Sequence, residues 1–135
     1  MTVFGRVRQT IAEHRLAQRD TRVVVALSGG ADSVALLCLL RELMAAGEVQ
    51  VAGVAHFNHM LRPAASRDQE FCRDLAASFD LPFVTDAVDV AAEARGARVS
   101  IEVAARTARH AFLERAREQL GASVVAVGHS RDDQA

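Results

Sequence analysis

Apolar positions along this chain switch between two spacings. In residues 3–17, Val3, Val7, Ile11 and Leu16 recur at a loose helical period. The run Arg22-Val23-Val24-Val25-Ala26-Leu27 is β-branched and stops at Ser28-Gly29-Gly30. It predicts a strand buried on both faces. Asp32 to Ala46 is Leu-rich and halts at Gly47, as a helix would. Val49 to Phe57 predicts a second strand. Asn58 to Arg67 reads as a loop containing Pro63, with Ser66 the expected cap of a helix from Arg67 to Phe79. Leu81 to Val88, opened by Pro82, predicts a third strand. Ala91 to Arg98, around Gly96, is short and carries no clear period. Ser100 is the expected cap of a long helix reaching Leu120. Its predicted apolar stripe is Ile101, Ala105, Ala108 and Phe112. Arg106 and His110 face away from that stripe, and Arg109 lies at its edge. Gly121 ends the helix, and Ser123 to Val127 predicts a fourth strand.

Strands alternating with helices of this length predict an α/β fold with a parallel sheet. Ligands of such sheets bind outside the carboxyl ends of the strands. Here those ends are Ser28, Phe57–Asn58, Asp89 and Gly128–His129, so all should face one crevice. The last of them should bring Asp132 and Asp133 towards the loop after the first strand. At 135 residues the chain fits one domain, and no linker or repeat divides it.

Composition removes several chemistries. All 16 basic residues are Arg, with no Lys. A Walker-A loop, a Schiff-base enzyme and a ligase that charges its own lysine all need one. A GC-rich genome explains the bias most simply. Tyr and Trp are absent, so stacking platforms for single-stranded nucleic acid are poorly supplied. Cys38 and Cys72 form no CxxC and are expected as two buried free thiols. No apolar run reaches the roughly 18 residues that span a bilayer, and no signal-type core opens the chain. A cytoplasmic protein without membrane contact is expected. Residues 1–22 hold five Arg against two acids, and residues 95–117 six Arg against two. Solvated helix faces explain such patches more simply than a polyanion partner.

Ser28-Gly29-Gly30-Ala31-Asp32-Ser33 carries the strongest chemical signal. Two glycines between strand and helix let the backbone turn sharply and present N–H groups. The helix N-terminus adds about half a positive charge. Such a loop can cradle phosphate without Lys. The plainer alternative is a Gly-rich turn with Asp32 capping the helix. A carboxylate beside phosphate needs an intervening cation, so Asp32 suggests Mg²⁺, with Asp132 or Asp133 as a second carboxylate. Capping of a further helix would explain those two equally well. His56-Phe57-Asn58-His59-Met60-Leu61-Arg62-Pro63 clusters two His and an Arg at a strand end. A structural or substrate-positioning loop accounts for it better than a metal site. On spacing alone, Arg106 and Arg109 are surface charge, and His14 is an exposed helix residue.

Together these segments resemble a known family. Ser28–Ser33 matches the SGGxDS pyrophosphate loop of N-type ATP pyrophosphatases. HFNHMLRP with SRDQEFCRDLA, then SIEVAARTARHAFL, then VGHSRDDQA resemble, in order, segments of tRNA(Ile)-lysidine synthetases. The resemblance runs from Val23 to the end and implies a Rossmann-like three-layer PP-loop fold. It implies that residues 1–135 are an incomplete amino-terminal catalytic domain, binding ATP with little or no activity of its own. The implied reaction adenylates C2 of the wobble cytidine in a CAU-anticodon tRNA(Ile), releasing diphosphate. Free L-lysine then displaces AMP to form lysidine, and codon reading moves from AUG to AUA.

The resemblance also implies roles. Ser28, Gly29, Gly30, Ala31, Asp32 and Ser33 would hold pyrophosphate, and Leu27 and Phe57 would line the adenine site. Asp32 and Asp133 would hold Mg²⁺, and Arg109 would stabilise charge during adenylation. Asn58, His59, Arg62, Arg106 and Asp132 would contact substrate. Other expectations stay open: a tRNA cytidine thiolase, an amidotransferase-type synthetase, or a non-catalytic adenine-nucleotide module. The oligomeric state is open as well, with a homodimer one candidate.

Overall fold

In a computed structural model of the chain, residues 21–128 are described. The helix expected over residues 3–17 therefore lies outside the described residues, as do His14, His129, Asp132 and Asp133.

Four parallel strands form one sheet in the order β3-β2-β1-β4. They are β1 (Arg22–Ala26), β2 (Gln50–Asn58), β3 (Phe83–Ala87) and β4 (Val124–Val127). Helices α1 (Ala31–Ala45), α2 (Ala65–Ser78), α3 (Val90–Ala97) and α4 (Ile101–Gln119) connect them. The expected α/β architecture is present, and three layers follow from strand parity. Val23, Val25 and Leu27 pack with Leu36, Leu37, Leu40, Cys72 and Ala76 of α1 and α2. Val24, Ala52 and Ala55 pack with Phe112 and Ala116 of α4 on the other face. α3 buries Val90 and Ala94 against Ala104 of α4. Each large apolar side chain so buried contributes about 1.5–3 kcal/mol.

Local chemistry differs from expectation at four points. Ser66 does not cap α2: the helix starts at Ala65 with Ala64 at the cap and no side-chain cap bond. Ser66 therefore sits inside the first turn. The unassigned stretch near Gly96 is a helix, because the Asp89 carboxylate accepts the Ala92 N–H at 3.0 Å and caps it. Asp89 serves that helix start. Ser100 does cap α4, accepting the Val103 N–H at 3.1 Å, yet Ile101 is 48% exposed. The buried stripe is Ala104, Phe112 and Ala116, since α3 packs Val90 and Ala94 on Ala104 and not on Ile101. Cys38 is exposed, not buried, because the apolar face of α1 is carried by Leu36, Leu37, Leu40 and Leu43.

β2 carries an irregularity that shapes the sheet. Val23 pairs with Val51 but Val24 with Gly53, so Ala52 is an extra residue. The slip lets Val51 and Val54 both face α1 and α2. A β-carbon on Gly53 would lie 2.9 Å from Leu120 Cδ1 and 3.0 Å from the Pro82 carbonyl oxygen. The backbone oxygen cannot give way cheaply. Gly53→Ala is therefore expected to destabilise the fold by about 1–3 kcal/mol, read by urea denaturation.

The two cysteines should also react differently. Burial first, then the nearby Asp68 carboxylate, pushes the Cys72 thiol up to about 12. Its thiolate, the reactive form, is negligible below pH 9. Iodoacetamide at pH 8 is expected to modify Cys38 in the folded protein and to reach Cys72 only after unfolding, as peptide mass mapping would show.

Candidate functional site

The site lies where β1 ends. Leu27 donates its N–H to the Ala55 carbonyl at 2.9 Å, and the chain then leaves the sheet. Gly29 adopts φ +94°, a conformation that L side chains rarely take. Ser33, the third residue of α1, reaches back and is only 2% exposed. Its hydroxyl donates to the Gly30 carbonyl at 3.0 Å and accepts the Ser28 N–H at 3.1 Å. The Ser28 hydroxyl lies 3.0 Å from it and accepts the Gly30 N–H at 3.2 Å. The two hydroxyls thus hold the turn from inside. Gly30 caps α1 in an extended conformation without a side-chain bond. The first-turn N–H groups of α1 therefore lack the usual capping oxygen, and an anion can supply it. Asp32 does not cap the helix; it is exposed on the first turn.

Two recesses flank this loop. The larger, about 350 Å³, is bordered by Ser28, Gly29, Gly30, His56, Asn58 and Asp68, with Phe57, His59, Arg62, Ala65 and Arg109 completing it. The smaller, about 90 Å³, is bordered by Ala26, Leu27, Ser33, Phe57, Leu113 and Gly128, together with Ser28, Ala55, Arg109 and Val127. Ser28, Phe57 and Arg109 border both. Phe57 is held by Phe112, with ring centroids 5.9 Å apart. Gly128 sits close to the start of α1: a β-carbon there would be 3.0 Å from the Asp32 carbonyl oxygen. Arg106 borders neither recess; it is exposed and lies 3.6 Å from Glu102 one turn earlier. Ala31 and Asp32 border neither, although both belong to the first turn of α1.

The loop between β2 and α2 is built by side chains bonding to backbone. Asn58 accepts the Met60 N–H at 3.0 Å and donates to Gln69 at 3.0 Å. His59 Nδ1 accepts the Leu61 N–H at 3.0 Å, so a neutral His59 carries its proton on Nε2. Burial first, then the nearby Arg62 guanidinium, holds the His59 imidazole below its ordinary pKa, against the opposing pull of the Asp68 carboxylate. Arg62 pairs with Asp68 at 3.1 Å, but both are solvated. Such a pair is worth under about 1 kcal/mol, so it orders the loop more than it stabilises the fold.

His56 enters the sequence reading only as one of the two His of the His56–Pro63 cluster, with no role of its own, and Asp68 is not singled out. His56 is 3% exposed. Its Nδ1 lies 2.7 Å from the Leu27 carbonyl oxygen. A carbonyl only accepts, so Nδ1 carries a proton and a neutral ring has its lone pair on Nε2. That Nε2 is buried with no hydrogen-bond partner, an omission that costs about 1–3 kcal/mol unless something fills it. Strand parity was the available signal: His56 and Phe57 must face opposite sides of the sheet. Asp68 had none, because its place at the cleft depends on how α2 docks. Among the described residues no cluster of three His, Cys, Asp or Glu could hold a metal ion.

A family model for the PP-loop domain, an ATP-binding family, matches residues 3–135. The chain is 45% identical to the tRNA(Ile)-lysidine synthase of Geobacter sulfurreducens, over 98% of this chain and 28% of that protein. It is 45% identical to that of Thermus thermophilus, over 90% of this chain and 23% of the relative. It is 44% identical to that of Porphyromonas gingivalis, over 100% of this chain and 29% of the relative. The chain thus spans about a quarter of the length of these curated relatives. With a strand–turn–helix loop held by Ser28 and Ser33 at the carboxyl end of a parallel sheet and the family model matching nearly its whole length, the chain belongs to the PP-loop domain family.

Proposed function

We propose that this chain is the ATP-binding part of an enzyme that joins L-lysine to C2 of the wobble cytidine in a CAU-anticodon tRNA(Ile). The product is lysidine, formed through an adenylated tRNA with release of diphosphate and then AMP in the cytoplasm. The observation that carries this reading is the Ser28–Ser33 loop, uncapped at the start of α1. The names of its relatives support it. Loop N–H groups and the Ser28 hydroxyl bind the pyrophosphate oxygens. Leu27 and Phe57, at the small recess, make an apolar seat for adenine. Arg109 borders both recesses, and its fork of donors can meet charge that grows on the transferring phosphorus. Asn58, His59 and Arg62 hold the substrate-facing loop, and Arg106 and Asp132 are further substrate contacts.

Asp32 fits Mg²⁺. It is exposed beside the loop with no hydrogen bond or ion pair among the described residues, and hard oxygen donors suit that ion. Asp133 would be its companion. When bound, the ion neutralises charge on the leaving pyrophosphate.

Two other readings compete. Thiolation of cytidine uses a pair of reactive cysteines, which an exposed Cys38 and a buried, protonated Cys72 do not supply. The other is a nucleotide-binding module without catalysis, which would use the same Ser28–Ser33 loop. Radiolabelled lysine and a tRNA(Ile) transcript separate these readings. The protein carrying its whole reading frame is expected to incorporate label only with ATP, whereas residues 1–135 alone bind ATP and incorporate little or none. Failure of the whole protein to incorporate label would sink the ligase reading. Asp32→Ala is expected to abolish diphosphate release while circular dichroism stays unchanged. Release at the original rate would remove Asp32 from the metal role.

A further inference from the structure

We propose that Arg62 grips the terminal phosphates of a bound nucleotide and that Asp68 positions it beside Gly29. The inference rests on the reading of Ser28–Ser33 as a phosphate loop. Asp68 lies against that loop: a β-carbon on Gly29 would be 3.5 Å from Asp68 Cβ and 3.6 Å from its Oδ1. A carboxylate there opposes the attraction that the loop N–H groups exert on an anion. Arg62 cancels it. Its Nη2 lies 3.1 Å from Asp68 Oδ2, and both residues border the larger recess with Ser28, Gly29 and Gly30. A guanidinium carries five N–H donors. Among the described residues the Arg62 side chain bonds only to Asp68, through Nη2, so Nε and Nη1 remain for phosphate oxygens.

The segment that carries Arg62 is fixed at each step. Asn58 and His59 accept the Met60 and Leu61 N–H groups, each at 3.0 Å, and the Arg62 carbonyl accepts the Ala65 N–H at 3.1 Å. Met60 holds φ +57°, a left-handed conformation that is costly for a residue other than glycine. The Arg62–Asp68 pair is solvated and adds little to stability. Local order of this kind around an exposed cation prepares it for a ligand. Its position selects the phosphate. Arg62 and Asp68 border the larger recess only, whereas Leu27, assigned to adenine, borders the smaller one. A nucleotide with its base in the smaller recess passes Ser28 and reaches Arg62 with the far end of its phosphate chain. The pair therefore distinguishes ATP and diphosphate from AMP.

The test titrates the protein carrying its whole reading frame by calorimetry, without tRNA or lysine. Arg62→Ala is expected to raise the Kd for ATP with Mg²⁺, and for inorganic diphosphate with Mg²⁺, about tenfold or more, and to leave the AMP Kd within about twofold. The loss has two parts, a missing cation and an unmasked carboxylate. Asp68→Asn added to Arg62→Ala should therefore recover part of the ATP affinity, which a merely structural Asp68 would not do. If Arg62→Ala does not fold, Arg62→Gln, which keeps much of the stem and can still donate to Asp68, is read in its place with the same split expected. An ATP Kd unchanged by loss of the Arg62 charge, an AMP Kd raised as much as that of ATP, or no recovery in the double variant overturns the grip and leaves the loop in place. A wild-type protein that binds neither ATP nor diphosphate removes the phosphate-loop reading and this inference with it.

Discussion

Everything near the loop depends on how the Leu27 carbonyl is satisfied. β1 lies inside the sheet between β2 and β4, so its end is buried, and a buried carbonyl must find a donor. The next residues turn away into α1 and cannot extend the ladder. Two side chains fill the gap: His56 Nδ1 at 2.7 Å and the Cys72 thiol at 3.7 Å. They come from β2 and α2, so one carbonyl ties three elements at the mouth of the site. The same bond sets the proton on His56 Nδ1 and leaves its Nε2 buried without a partner. The Cys72 thiol can take part because burial keeps it protonated.

The two faces of the sheet carry different work. Parity sends His56 to the α1–α2 side and Phe57 to the α4 side. One face of the strand end is therefore polar and committed to hydrogen bonds, while the other is aromatic and packed. The Ser28–Ser33 turn is the seam between them. It is held by neutral hydroxyl and backbone bonds rather than ion pairs. That suits an anion site, because no fixed cation must be displaced and helix N–H groups supply the attraction.

The absence of Lys bears on this economy. Cationic contact with phosphate from this chain has to come from Arg, from a bound ion or from a helix N-terminus. Arg62, Arg106, Arg115 and Arg117 each lie within 4 Å of a carboxylate. Arg109 is not so paired among the described residues, and it is the Arg that borders both recesses. Its fork can take a bidentate grip that an ammonium could not.

The strands, α1, α4 and the Gly-rich turn were legible in the chain because each rests on local chemistry. A β-branched run, a Leu-rich period stopped by Gly47, and a Ser100 cap act within a few residues of themselves. The loop at Ser28–Ser33 was legible for the same reason: only Gly29 relaxes at φ +94°. Local pattern misled where a tertiary neighbour decided the outcome. Ile101 fits the helical stripe, yet the packing of α3 on α4 leaves it in solvent. Cys38 looks apolar, yet four leucines already fill its helix's inner face. His56 and Asp68 lie 12 residues apart in unlike elements, and no spacing rule joins them. By itself, the sequence determined the elements, their order and the phosphate-type turn, since those depend on short-range backbone preference and hydrophobic period. Only the tertiary structure decided which polar groups share the cleft, because the docking of α2 on β2 assigns each lone pair and proton a partner or leaves it open.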